Sequence, residues 1–196
     1  MKHYILTRYC LNVFSDNVHG IKDIDKWMED RFELFQQTKQ SVVSQRKDFD
    51  VTWFLCFDSL TPQYWIDKVC TEDWMIPTFK RPPAITYPEG WKITTRLDSD
   101  DLLLNGFFEA VHNVATEGEE QLIDVKYMHG GTMDTRRFCN SMFISLVNNN
   151  QFKSVCDGEH SNMHKKYKGH KIQQVLAKHR KHGGNLFKKQ GNNWNK

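Results

Sequence analysis

The order of apolar and polar positions divides the chain into short elements. Residues 3–11 are largely apolar and read as a buried strand, followed by a polar loop at 12–23 that contains Gly20. Asp25 is placed to cap a helix running to about Arg46. Its apolar stripe is Trp27, Met28, the aliphatic stem of Arg31, Phe35, Thr38 and Val42, at the three-four spacing of one helix face. Residues 49–57 (Phe-Asp-Val-Thr-Trp-Phe-Leu-Cys-Phe) are nearly continuously apolar, as in a parallel strand covered on both faces. Residues 59–62 turn the chain and 63–69 predict a short helix. A third strand is expected at 74–79, and a loop at 80–90, where Pro82, Pro83, Pro88 and Gly90 cluster. A strand at 92–97 then runs into acidic residues. After these, Leu103, Phe107, Phe108, Val111 and Val114 follow a helical period. Strands are expected at 121–128, 140–147 and 151–155, with His129-Gly130-Gly131-Thr132 as a turn and a basic helix at 172–182. Strand and helix alternate over the first 115 residues, and strand pairs follow. The pattern predicts an α/β fold with a Rossmann-type mixed, mostly parallel sheet flanked by helices.

Composition narrows this picture. At 196 residues, with 39% hydrophobic and 13% aromatic side chains, the chain can bury one real core. No apolar run approaches the ~20 residues of a membrane-spanning helix. Arg8 interrupts the first apolar run, which therefore reads as a strand rather than a signal peptide. The five cysteines, Cys10, Cys56, Cys70, Cys139 and Cys156, are odd in number, widely spaced and without a C-x-x-C. Free thiols in a reducing, cytoplasmic compartment are expected. Charge is unevenly spread. Residues 160–196 hold ten of the 27 Lys and Arg, five of the nine His, and none of the 24 Asp and Glu, so residues 1–159 carry 17 basic against 24 acidic side chains. A body over residues 1–160 and a basic, His-rich, partly disordered segment over 161–196 are expected.

Candidate chemistry centres on Thr94-Thr95-Arg96-Leu97-Asp98-Ser99-Asp100-Asp101. Here carboxylates fall where a strand stops. In open α/β sheets, ligands bind outside the carboxyl ends of the strands. Asp98 and Asp100 are hard oxygen ligands suited to Mg2+ or Mn2+ on a diphosphate. Asp and Ser before an apolar run are also ordinary helix caps, and the stretch read alone favours that role. Asp58 closes the strand at 49–57 and could accept from a ribose hydroxyl or a base N–H, or could simply organise the turn after it. No G-x-G-x-x-G or G-x-x-x-x-G-K-[ST] occurs, which argues against dinucleotide and P-loop sites.

These residues resemble a family of rhamnosyltransferases within the nucleotide-sugar glycosyltransferases of GT-A fold. The likeness runs over about residues 4–160. It rests on Trp27, Arg31, Leu34-Phe35, Ser41 and Gln45; on Phe49, Trp53 and Asp58; on the Thr94–Asp101 run; and on Phe152-Lys153-Ser154-Val155 with His160. It implies a catalytic domain at 1–160 that binds a nucleoside diphosphate sugar and transfers the sugar to an acceptor hydroxyl, with a glycan as one acceptor class. It implies that Asp98 and Asp100 grip Mn2+ or Mg2+, and that Thr7, Arg8, Asp58, Arg96 and Asp98 lie near the nucleotide. A third metal ligand is expected from a later histidine, His160 or His182. The general base is expected among Asp124, Asp134 and Glu159, with Asp134 preferred for its place beside the glycine turn. The chain departs from the family where Lys178-His179-Arg180-Lys181 precedes His182-Gly183-Gly184-Asn185, a basic lead-in instead of an aromatic one. On chemistry alone, the same carboxylates and basic segment would also suit a metal-dependent nuclease or phosphotransferase, or a nucleic-acid-binding module.

Overall fold

The computed structural model describes residues 1–17, 20–129, 132–133, 142–158 and 160–180, and of residues 132, 133, 160 and 161 the backbone alone. The first unit is β1 (Lys2–Arg8), α1 (Ile24–Val43) and β2 (Val51–Cys56), with β1 and β2 parallel and adjacent. Asp23 rather than Asp25 caps α1, accepting from the Lys26 amide at 2.9 Å. Helix α2 (Gln63–Val69) leads to β3 (Met75–Thr78), parallel to β2. β4 (Lys92–Arg96) pairs in parallel with the other side of β1.

Past β4 the chain differs from the expected pattern. Leu102–Leu103 form a short strand, β5, and α3 (Phe107–Val114) begins only afterwards. Gly106, at φ 87°, precedes α3 and supplies no side-chain cap. The Gln45 carboxamide accepts from the Phe107 amide instead, at 3.0 Å. The acidic run therefore does not cap a helix. β6 (Gln121–His129) pairs with β7 (Thr132–Met133), His129 opposite Thr132, which fits the expected turn at two glycines that lie outside the described residues. β8 is Ile144–Asn148, and residues 151–155 form a turn rather than a strand. Helix α4 (His160–Lys166) leads into β9, Lys168–His179. Residues 172–179, expected to be helical, are thus extended. β9 runs parallel to β6 over its whole length and pairs with β5 at Leu102–Leu103. The described part of the basic segment thus contributes a strand, Lys168–His179, to the sheet.

The sheet order is β3-β2-β1-β4-β8-β6-β9-β5, with β7 attached to β6. The pairings give β1, β2, β3, β4, β6 and β9 one direction, and β5 and β8 the other. The expected mixed, mostly parallel sheet is present. Period-two alternation puts Ile5, Trp53, Leu55, Ile93, Ile123 and Val147 in one apolar cluster, against Met28, Phe35 and Val42 of α1, Trp65 and Ile66 of α2, and Phe107, Phe108 and Val111 of α3. Tyr4, Leu6, Cys56, Leu122 and Leu146 belong to a second cluster, with Ile85, Tyr87, Val155 and Met163. Burying Trp53 or Phe35 completely contributes about 2–3 kcal/mol each by area.

Candidate functional site

Strand direction brings one set of side chains to the carboxyl edge. β1 ends at Arg8, β2 leads to Asp58, β4 leads to the acidic turn, and β6 and β9 end at the paired His129 and His179. Thr7 is buried and does structural work: its hydroxyl donates to the Leu97 carbonyl at 2.6 Å and accepts from the Trp53 indole at 2.8 Å. Arg8, one residue on, is exposed.

Asp58 is buried and fully engaged. Its Oδ2 accepts from the Phe14 and Ser15 amides, each at 3.0 Å, and from the Ser15 hydroxyl at 2.9 Å; its Oδ1 accepts from the Leu60 amide at 2.9 Å. Burial pushes its pKa up, but these donors outweigh burial and the net direction is down. Asp58 therefore anchors the loop after β1, where Asn12 and Asn17 take left-handed backbone at φ 59° and 45°.

The acidic turn holds three carboxylates within four residues. Two unit charges about 6 Å apart repel by about 3 kcal/mol at an effective dielectric near 20, so such a turn needs cations. Each carboxylate has one of its own. Arg96 Nη2 lies 3.2 Å from Asp98 Oδ2, with its other contacts to Asp98 at 3.3 and 3.4 Å. Arg31, reaching across from α1, donates from Nη1 to Asp100 Oδ2 at 2.9 Å. His179 Nδ1 lies 3.0 Å from Asp101 Oδ1, which also accepts from the Arg180 amide at 3.0 Å. Asp101 raises the pKa of His179 and so favours its imidazolium form. The His179 ring also stacks on His129, with centroids 4.9 Å apart and planes at 12°. Exposure grades the three: the Asp98 side chain is 25% exposed, that of Asp100 12% and that of Asp101 1%.

The donor chemistry of Asp98 and Asp100 fits a hard divalent cation. Their oxygens face different arginines, and no three His, Cys, Asp or Glu side chains converge as a ready-made cluster among the described residues. Asp98 has the longer ion pair and the greater exposure, so it is the carboxylate most available to an incoming ion. Of the other expected residues, Asp124 is buried in β6, opposite Ile144 of β8 and Lys171 of β9. His160 is the first residue of α4, its side chain outside what the structure describes, and Asp134, Glu159 and His182 lie outside the described residues.

The contributions of Arg31, His179 and Arg180 escaped the sequence reading. Arg31 sits on the buried stripe of α1, where its stem fits the helical spacing, and its guanidinium donates to Asp100. His179 sits in a stretch read as a basic helix. The available signal was the basic lead-in before His182-Gly183-Gly184-Asn185.

No family model and no curated protein matches the chain. Solved structures do. Staphylococcus aureus TarS residues 1–349 in complex with UDP-GlcNAc superposes with a TM-score of 0.58 at 10% identity, over 97% of this chain and 62% of that one. The same protein without a stated ligand gives 0.54 at 9% identity, over 92% and 60% of the two chains. Its UDP complex gives 0.53 at 8%, over 92% and 61%. The chain shares its fold with these structures. At such identity the likeness concerns the fold alone, and the chain spans about three fifths of the length of these neighbours. In this shared fold the acidic turn follows the fourth parallel strand of the β3-β2-β1-β4 block. No helix among the described residues is long and apolar enough to cross a membrane.

Proposed function

We propose that this protein is a metal-dependent glycosyltransferase that moves a sugar from a nucleoside diphosphate donor to an acceptor hydroxyl. The observation that carries the reading is the acidic turn at the carboxyl edge of β4, in a fold shared with a protein solved with UDP-GlcNAc. In the transfer, the acceptor oxygen bonds to the anomeric carbon, the bond from that carbon to the diphosphate oxygen breaks, and the acceptor proton passes to a base. Asp98 and Asp100 would hold Mn2+ or Mg2+, which neutralises the departing diphosphate. Arg8 and Arg96 supply fixed positive charge at the same edge. Asp58 and Thr7 act at one remove, by shaping the loop after β1 and the end of that strand. His179 is the described histidine beside the acidic turn, and we assign it the part expected of His160 or His182, taken as the neutral imidazole after a proton is released when the ion binds. Asp134 remains the proposed base.

The donor sugar is proposed from two directions: rhamnose from the sequence resemblance, and N-acetylglucosamine from the ligand in the structural neighbour. UDP-GlcNAc and dTDP-rhamnose should be compared as substrates, each with Mn2+ or Mg2+. Hydrolysis or transfer should require the ion and disappear in Asp98→Asn/Asp100→Asn, with the thermal transition retained. Unchanged turnover in that double variant would falsify the metal assignment. Thermal stabilisation by a DNA oligonucleotide and by no nucleoside diphosphate would instead favour the nuclease or nucleic-acid-binding reading.

A further inference from the structure

Arg180, the residue directly after β9, donates in several directions. Its amide goes to Asp101 Oδ1 at 3.0 Å and its Nε to the Asp100 carbonyl. Nη1 reaches Gln37 Oε1 at 2.8 Å, and Nη2 reaches the Leu34 carbonyl at 2.7 Å and Thr38 Oγ1 at 3.2 Å. All of these acceptors belong either to the acidic turn or to α1. The Thr38 hydroxyl in turn donates to the Ser99 carbonyl at 3.0 Å, and Arg31 of the same helix holds Asp100. Three successive residues of the turn, Ser99, Asp100 and Asp101, are thus tied to α1 or to the end of β9, and Arg180 is the group common to both. The acceptors lie more than 75 residues from Arg180 along the chain, so no local preference creates this arrangement.

We infer that Arg180 is a positioning residue for the proposed metal–diphosphate site: it locks the acidic turn onto α1, so that ion binding at Asp98 and Asp100 depends on the docked end of β9. This rests on the glycosyltransferase reading above. A carboxylate pair binds an ion tightly only when its backbone is held before the ion arrives, and groups behind metal ligands typically change metal affinity by about 10- to 100-fold when removed. The planar guanidinium suits the task, because one side chain can satisfy acceptors on two elements at fixed angles. A lysine ammonium offers a single charged point on a flexible stem.

The test measures Mn2+ affinity in the presence of UDP by titration calorimetry, and UDP affinity in EDTA, on the full chain. Arg180→Ala is expected to weaken Mn2+ binding by about tenfold or more, while UDP affinity in EDTA stays within about twofold. Arg180→Lys should recover less than half of the loss. Thr38→Val, close in shape and missing the hydroxyl that links Arg180 to Ser99, should weaken Mn2+ binding to a smaller degree; it decides the matter if Arg180→Ala does not fold. Wild-type Mn2+ affinity in Arg180→Ala, or in Thr38→Val if that variant has to decide, overturns the inference alone. A wild-type chain that binds neither Mn2+ nor UDP overturns the donor-site reading, and this inference with it.

Discussion

Asp98, Asp100 and Asp101 are one residue type in one turn, yet their surroundings give them different work. Asp101 is buried on His179 and Arg180 and serves the architecture, whereas Asp98 is the most open of the three. Lys92 makes the same point away from the site. It is buried at the opposite edge of β4, where its ammonium donates to Asn148 Oδ1 at 2.9 Å and to the Asn150 carbonyl at 2.6 Å. Burial pushes its pKa down to about 8. Since the unfolded lysine keeps a pKa near 10.4, the unfolded state binds more protons between about pH 8 and 10.4, and stability due to this group rises with pH across that window. The buried thiols act in the opposite sense at the upper end, because burial pushes Cys10 up to about 11 and Cys56 up to about 12. The quantity to measure is therefore the difference in urea midpoint between wild type and Lys92→Met. It should grow in favour of wild type from pH 8 to 10; a difference independent of pH would show that Lys92 is not perturbed.

At the scale of elements, polar residues of α1 and of the turn after it act as fasteners. Ser41 accepts from the Leu103 amide at 3.2 Å. Gln45 donates to the Leu103 carbonyl at 3.1 Å and accepts from the Phe107 amide at 3.0 Å. One carboxamide thus holds β5 and caps α3, a helix whose own N-cap residue offers no side chain. Gln45→Ala should lower stability by about 1–2 kcal/mol, read as a lower urea midpoint with an unchanged slope. Retained stability would mean that solvent or a neighbour caps α3 equally well. Sequence reading located α1 with the right buried face, because that face repeats every three to four residues. It could not show that Arg31, Ser41 and Gln45 act on residues about 60 to 70 positions away.

For the whole molecule, the decisive feature is that β9 belongs to the sheet. It covers β6, meets β5, and delivers His179 and Arg180 to the acidic turn. A chain ending at residue 167 would lose that cover, and with it the His179 and Arg180 partners of Asp101. Such a truncation is expected to lose the cooperative thermal transition. A sharp transition near the wild-type midpoint would instead show that residues 1–167 fold independently of β9.

The sequence by itself determined the first half of the fold, from β1 through the turn at Asp98. There the signals are local: apolar runs, a helical stripe, prolines and an acidic stop follow in order, and β1, β2 and β3 pair in chain order, while β4 returns to the other side of β1. Tertiary structure alone decided that Leu102–Leu103 and residues 168–179 are strands, that the acidic run caps no helix, and that His179 reaches Asp101. Residues 172–179 contain Gln, Leu, Ala and Lys, all good helix formers, but such preferences amount to a few tenths of a kcal/mol per residue. A nine-residue ladder against β6 outweighs them, and β6 lies nearly fifty residues upstream, beyond the reach of any local pattern.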